Sequence, residues 1–181
     1  SVDRAGNYAY CIGMPGKVGI ALSASWNLIG NPFLPSSAPV EDVLAGLDWS
    51  AARTWDPALS PNHWTINRPG NSGGVNTLQT VDNPVGIWVR MNSEGAFAAY
   101  GQVSNLSINL TAGWNLVSYP YHESLPVSQA LAGVPWDRVE ICDDASPTLL
   151  RQLAGNDILM PGQGLWVRVT SDAVWTAVNV P

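Results

Sequence analysis

Trp26-Asn27-Leu28-Ile29-Gly30-Asn31-Pro32 returns later in the chain as Trp114-Asn115-Leu116-Val117-Ser118-Tyr119-Pro120, 88 positions on. A second phrase, Gly86-Ile87-Trp88-Val89-Arg90, returns as Gly164-Leu165-Trp166-Val167-Arg168, 78 positions on. The chain is a tandem duplication, and a repeat of this length decides the architecture before any single element is assigned. The two offsets differ because the first copy carries about nine extra residues between Trp55 and Trp88, where Pro61-Asn62-His63 and Arg68-Pro69-Gly70-Asn71-Ser72-Gly73-Gly74 signal loop. An insertion of that kind belongs on the surface.

Working outward from the matched phrases, each copy opens with two short strands joined by a turn, Ile20-Ala21-Leu22 then Trp26 to Ile29, and Ile108-Asn109-Leu110 then Trp114 to Val117. The Asn-Pro and Tyr-Pro steps stop the second strand. A helix of a few turns is expected next. Val40, Val43, Leu44 and Leu47 are spaced i, i+3, i+4, i+7, and Val127, Ala130, Leu131 and Val134 repeat the spacing. Pro39 and Pro126 suit a first helical turn, with Ser37 and Ser124 upstream as caps. A strand through Ala52 to Trp55, or Arg138 to Cys142, ends at Asp56 or Asp143.

The last two strands of each copy read as a hairpin about Ser93-Glu94-Gly95 or Ser171-Asp172-Ala173, with Phe97 and Trp175 matched on the returning strand. Alternation puts Ile87, Val89 and Met91 on one face and Trp88 and Arg90 on the other, so an arginine can lie along an indole. The expected fold is β-rich, mainly β with one short helix per repeat. It comprises two tandem homologous small β-sheet or barrel units in a pseudo-twofold relation, of about five strands each. Residues 1–17, with Tyr8, Tyr10 and Cys11, form an N-terminal extension or edge strand; 18–104 are repeat 1 and 105–181 repeat 2.

The chain has 181 residues, 46% of them hydrophobic and only 12% charged, the composition of a folded globular protein. Its net charge is −6 and it has one lysine, Lys17, so no basic stripe exists to neutralise phosphates and nucleic acid is set aside as a partner. No apolar run approaches the roughly 18 residues of a membrane helix. With Ser1 first and no basic-then-apolar leader, the chain reads as a soluble, mature or excised fragment without membrane insertion. Nine tryptophans, 14 prolines and 17 glycines are a composition more common in extracellular β-rich modules. Cys11 and Cys142 either form one bridge across the halves or remain two thiols.

The phrases Trp-Asn-Leu-Ile-Gly-Asn-Pro-Phe and Ala-Gly-Trp-Asn-Leu-Val-Ser-Tyr-Pro, each followed some 50 to 60 residues later by Gly-x-Trp-Val-Arg, resemble a repeat of bacterial and archaeal secreted and cell-surface proteins. The resemblance covers nearly all of residues 18–180. It implies an extracellular or cell-surface setting and a role as spacer, adhesive or secretion-associated module, and it brings no catalytic residue to this chain.

The residues themselves offer several candidate sites. Pro69-Gly70-Asn71-Ser72-Gly73-Gly74 looks like the nucleophile loop of trypsin-like proteases, with Asn71 where those have aspartate. A serine nucleophile needs a base, and only His63 is near in sequence, so the reading is a glycine-rich surface loop. Asp137, Glu140, Asp143 and Asp144 could hold calcium or form a glycosidase pair, but repeat 1 has only Asp56 to match, and solvated turn acids are the preferred reading. His63 and His122 have no partners at zinc spacing. Asn105-Leu106-Ser107 and Asn109-Leu110-Thr111 match the glycosylation pattern.

Tryptophans are the serious candidates, because indoles stack on sugar rings and anchor protein interfaces. Trp26/Trp114, Trp49/Trp136 and Trp88/Trp166 recur at matched positions, as core residues of a duplicated fold should. Trp55 is matched by Cys142, and Trp64 lies in the insertion with His63 and Arg68. Trp55, Trp64, His63, Arg68 and Tyr100 are therefore the expected recognition residues. The expected function is a non-catalytic extracellular structural or binding module of a larger protein, without cofactor or metal. Its partner would be polysaccharide or another extracellular protein. A carbohydrate-binding module is the first alternative and a hydrolase the last.

Overall fold

The computed structural model describes residues 16–33, 37–71, 76–101 and 105–178. Repeat 1 runs β1 (Gly16–Leu22), β2 (Trp26–Gly30), β3 (Ala38–Pro39), α1 (Val40–Val43), β4 (Trp49–Trp55), β5 (Trp64–Asn67), β6 (Thr80–Val81), β7 (Gly86–Met91) and β8 (Gly95–Gly101). Repeat 2 runs β9 (Leu106–Leu110), β10 (Gly113–Ser118), β11 (Leu125–Pro126), α2 (Val127–Ala130), β12 (Trp136–Cys142), β13 (Leu150–Gln152), β14 (Ile158–Leu159), β15 (Gly164–Val169) and β16 (Ala173–Ala177). Each repeat holds a four-stranded antiparallel sheet, ordered β2-β7-β4-β5 or β10-β15-β12-β13. Each adds a ribbon, β1–β8 or β9–β16, and a two-residue pair, β3–β6 or β11–β14. The protein is thus β-rich, with two similar units and one helical turn in each. No helix among the described residues is long and apolar enough to cross a membrane.

Four local expectations are corrected. The opening strand pair and the closing strand pair of each repeat are not hairpins. β1 pairs with β8 and β2 with β7, so the two short connections carry a single two-stranded ribbon round a corner. A three-residue link fits either arrangement, and only the partner strands decide. The helices are one turn long, because Gly46 (φ 80°) and Gly133 (φ 81°) enter the left-handed region and stop the winding. Ser37 and Ser124 do not cap them. Instead Val40 N–H donates to Gln79 O at 3.0 Å and Val127 N–H to Asp157 O at 2.9 Å. The very short β3, β6, β11 and β14, and the edge strands β5 and β13, raise the strand number above five.

The corner explains the Asn of the repeated Trp-Asn-Leu phrase. Asn27 is buried; its Oδ1 accepts Ser23 N–H at 3.0 Å and its Nδ2 donates to the carbonyls of Ser23 and Ser25, both at 2.9 Å. Asn115 does the same with Thr111 (N–H 3.0 Å, O 2.8 Å) and the Gly113 carbonyl at 3.1 Å. An amide supplies both the donor and the acceptor that a bent backbone leaves over. Asn115→Ala is expected to cost about 2 kcal/mol, because buried backbone groups lose their partners. Asn115→Asp should cost no less, since a carboxylate offers acceptors to two carbonyls. Urea unfolding midpoints check both.

Strand alternation then sorts side chains to two faces of each sheet. Ile87, Val89 and Met91 join Ile29, Val40, Leu44 and Phe97 in the core of repeat 1. Leu165, Val167 and Val169 join Tyr119, Val127, Leu131 and Trp175 in that of repeat 2. Trp49 and Trp136 pack against these two cores, as their matched positions imply. The opposite faces meet each other. Leu28, Trp88, Leu116 and Trp166 form a third cluster, between the repeats, with Trp26, Trp55, Trp64 and Trp114 packed on it.

Backbone also crosses between the repeats, and it does so twice in the same way. Ile29 bridges Gln163 and Val85 bridges Val117. Gly30 N–H donates to Gly162 O at 2.7 Å, and Ser118 N–H to Pro84 O at 2.6 Å. Moving the residue of repeat 1 forward by 88 and that of repeat 2 back by 78 turns the Ile29–Gln163 contact into Val117–Val85 and Gly30–Gly162 into Ser118–Pro84, so the repeats are related by a pseudo-twofold axis through this contact. The glycines opening both Gly-x-Trp-Val-Arg phrases lie here. A Cβ on Gly86 would stand 2.9 Å from Val117 O, and one on Gly164 would stand 2.6 Å from Ile29 O.

Candidate functional site

Beside this contact the facing sheets part to leave a cleft of about 580 Å³. Trp88 and Trp166 form its buried floor, and the half-buried Trp26, Trp114, Trp55 and Trp64 its walls. The rings stand mostly edge to face. Trp166 lies 5.7 Å from Trp55, 5.8 Å from Trp64 and 6.0 Å from Trp114, and Trp55 lies 5.3 Å from Trp64. Such a T-shaped set is the favoured packing of indole quadrupoles and holds the walls rigid.

Polar groups are few and fixed. Arg53, on β4, lies over the Trp26 ring at 5.0 Å. Arg138, on β12, lies over Trp114 at 5.9 Å and bonds the buried Glu140 carboxylate through Nε at 2.7 Å. Arg168 also lies over Trp114, at 5.6 Å, and its fork grips Asp137 at 2.8 and 2.9 Å. That grip holds the exposed Asp137 carboxyl below the usual carboxylate range. The expected stacking of Arg90 on Trp88 and Arg168 on Trp166 is therefore corrected. Directly opposed residues on neighbouring strands are closer than residues two apart on one strand, and Arg168 faces Trp114 across β10–β15.

Of the expected recognition residues, Trp55, Trp64 and His63 come together. His63 stacks on Trp55 at 4.4 Å and places Nδ1 3.2 Å from the Asp56 carbonyl, which turns the ring onto the indole at the cleft edge. Arg68 and Tyr100 do not line the cleft. Arg68 is exposed in the inserted loop, where Asn76 bonds its backbone N–H and C=O, and Tyr100 is 71% exposed on the β1–β8 ribbon opposite Lys17. Four more cleft tryptophans, Trp26, Trp88, Trp114 and Trp166, are among those whose matched positions imply a core, and the core they belong to lies between the repeats. Their sequence signal was the alternation that sets Trp88 opposite Ile87 and Val89; it showed a second buried face without showing what covers it.

The cleft is where the duplication departs from itself. Position by position, Arg53 faces Trp88 as Glu140 faces Trp166, and the pair Trp55–Trp64 corresponds to Cys142–Leu150. At these positions the first wall has two indoles and a guanidinium, and the second wall has a thiol, an aliphatic side chain and a carboxylate. Leu149 on that second wall takes φ 61°, the left-handed region, at a cost of about 1 kcal/mol. Trp55 adds a buried indole N–H without an acceptor among the described residues. Strain and an unsatisfied donor in one cleft are costs that packing alone does not require.

The acid cluster of repeat 2 resolves into separate contacts. Asp137 pairs with Arg168, Glu140 with Arg138 and Asp143 with Arg151, while Asp144 accepts the Ser23 hydroxyl at 2.6 Å. Cys142 carries a free thiol 3.6 Å from the Trp26 carbonyl, and burial raises its pKa, keeping it protonated. Cys11 and Ser72 lie outside the described residues, so neither the bridge nor the serine reading meets the structure. His122 is half-buried before β11, and Asn105 and Asn109 are exposed. Comparison with family models, with curated proteins and with solved structures returned no match.

Proposed function

We propose that the chain is a non-catalytic binding module of a secreted or cell-surface protein, with the inter-repeat cleft as its site and a saccharide as its ligand. The observation that carries this reading is a cavity of about 580 Å³ with six indoles and only three charged side chains in its lining. That volume suits a small ligand or one or two sugar rings, and indoles match the C–H faces of sugars while fixed arginine and glutamate groups meet hydroxyls. The non-catalytic part is supported by the lining, where among the described residues Thr148 is the only hydroxyl side chain and Glu140 is tied to Arg138. The setting is supported by the resemblance of the repeated phrases.

Intrinsic fluorescence tests the reading directly, because ligand and reporter share the cleft. Titration with a polysaccharide and cell-wall panel is expected to give a saturable shift, weakened at least about tenfold by Trp64→Ala or Trp55→Ala, the weight of one stacked ring at a desolvated site. A flat response across the panel would sink the saccharide reading and favour a spacer or protein-contact role.

A further inference from the structure

The three arginines of repeat 2 are all ion-paired, Arg138 with Glu140, Arg151 with Asp143 and Asp157, and Arg168 with Asp137. Arg53 has no ion pair among the described residues, in a chain whose net charge is −6. Its guanidinium is nevertheless held in place, over Trp26 at 5.0 Å and on the cleft wall. The ring's quadrupole holds the cation there, and its N–H donors remain to meet whatever enters. At the matched position in repeat 2 stands Glu140, whose charge Arg138 already cancels. The cleft therefore carries one uncompensated positive charge among indoles.

Any ligand that fills the cleft removes water from Arg53. A wholly apolar occupant would leave that guanidinium desolvated without partners, and a neutral one would offer it only uncharged acceptors. A carboxylate meets it with two parallel charge-assisted bonds and gains from the lowered dielectric.

We infer that the cleft takes an acidic saccharide, a uronate ring whose carboxylate pairs with Arg53 and whose C–H face lies on the indoles. The inference rests on the saccharide reading above and narrows it to a charge class.

The test needs only the intact chain and a matched pair of probes, trigalacturonate and its fully methyl-esterified form, which keeps the rings and loses the charge. Glucuronate and mannuronate oligomers with their esters extend the series. Tryptophan fluorescence is expected to saturate with at least one acidic oligomer and to show its ester on the order of tenfold weaker, the worth of one charge-assisted pair. Arg53→Gln should weaken the acid about as much and the ester distinctly less, closing most of the gap between them, and Arg53→Lys should fall between, keeping charge but losing the fork. The preference for acid should shrink as salt rises.

Equal binding of acid and ester, unmoved by Arg53→Gln, would overturn the acidic preference and leave the saccharide site standing. No binding by any oligomer, charged or neutral, would overturn both. Binding of a free aromatic carboxylate such as indole-3-acetate without any oligosaccharide would overturn the saccharide while retaining the Arg53 pairing. Because the acid and ester comparison uses the unaltered protein, a poorly folded Arg53 variant does not blunt the result.

Discussion

Trp166→Ala is expected to lower the unfolding free energy by about 4 kcal/mol, the cost of emptying a buried indole site. Trp166 is 9% exposed and its ring contacts three other indoles, each pair worth roughly a further 0.5–1.5 kcal/mol. The cores of the two repeats lie on the other faces of their sheets and keep their packing, so the loss falls on the contact between the repeats. Chemical denaturation followed by near-ultraviolet circular dichroism gives the number. Trp64→Ala, at the half-exposed rim, serves as the comparison and should lose distinctly less. A Trp166 variant within about 1 kcal/mol of the parent would mean that the third cluster is not a packed core.

Gly164→Ala should cost about 3 kcal/mol, the upper range for a methyl forced into packed surroundings. Its Cβ would meet Ile29 O at 2.6 Å and the Leu28 side chain at 2.7 Å. The first is backbone of the other repeat, which moves only if the repeats part. For a chain of this length the midpoint of thermal unfolding should fall by roughly 6–12 °C. Gly155→Ala is the control. Its nearest prospective neighbour is Ser128 Cβ at 3.5 Å, so the substitution should be neutral or stabilise by about 0.5 kcal/mol through the unfolded chain. Matching midpoints for the two variants would refute the close backbone crossing.

These two expectations mark how far the chain could be read without coordinates. The duplication, the β-rich class and the inserted loop were legible because they rest on self-comparison and on period-two alternation, which are local signals. Helix length was misjudged because Leu44 and Leu47 continue the spacing while Gly46 ends the winding, and a pattern of apolar residues does not weigh one glycine. The corners read as hairpins because strand pairing across 77 residues, as between Ile20 and Phe97, leaves no mark at the turn itself.

The site was half legible for a related reason. Trp55 and Trp64 stood out by lacking a partner in the other copy, which is what differing walls require. Trp88 and Trp166 were hidden by their regularity. Their recurrence suggested a core, and they do lie in one, but it is shared by both copies. Nothing along a single strand tells a residue packed within its own repeat from one packed against the neighbouring repeat. Arg53 went unnoticed because its significance lies in a comparison with Glu140 that only the strand register makes.

The pseudo-twofold contact has one more consequence. A cleft on a true twofold axis would present each end of an elongated ligand with the same surroundings, so a polymer could lie in it in either of two opposite directions. Covalent linkage of the two copies lets Arg53, Trp55 and Trp64 stand on one side while Glu140, Cys142 and Leu150 hold the matching places on the other. A polymer with distinguishable ends would then lie one way round, its two ends told apart by the two repeats.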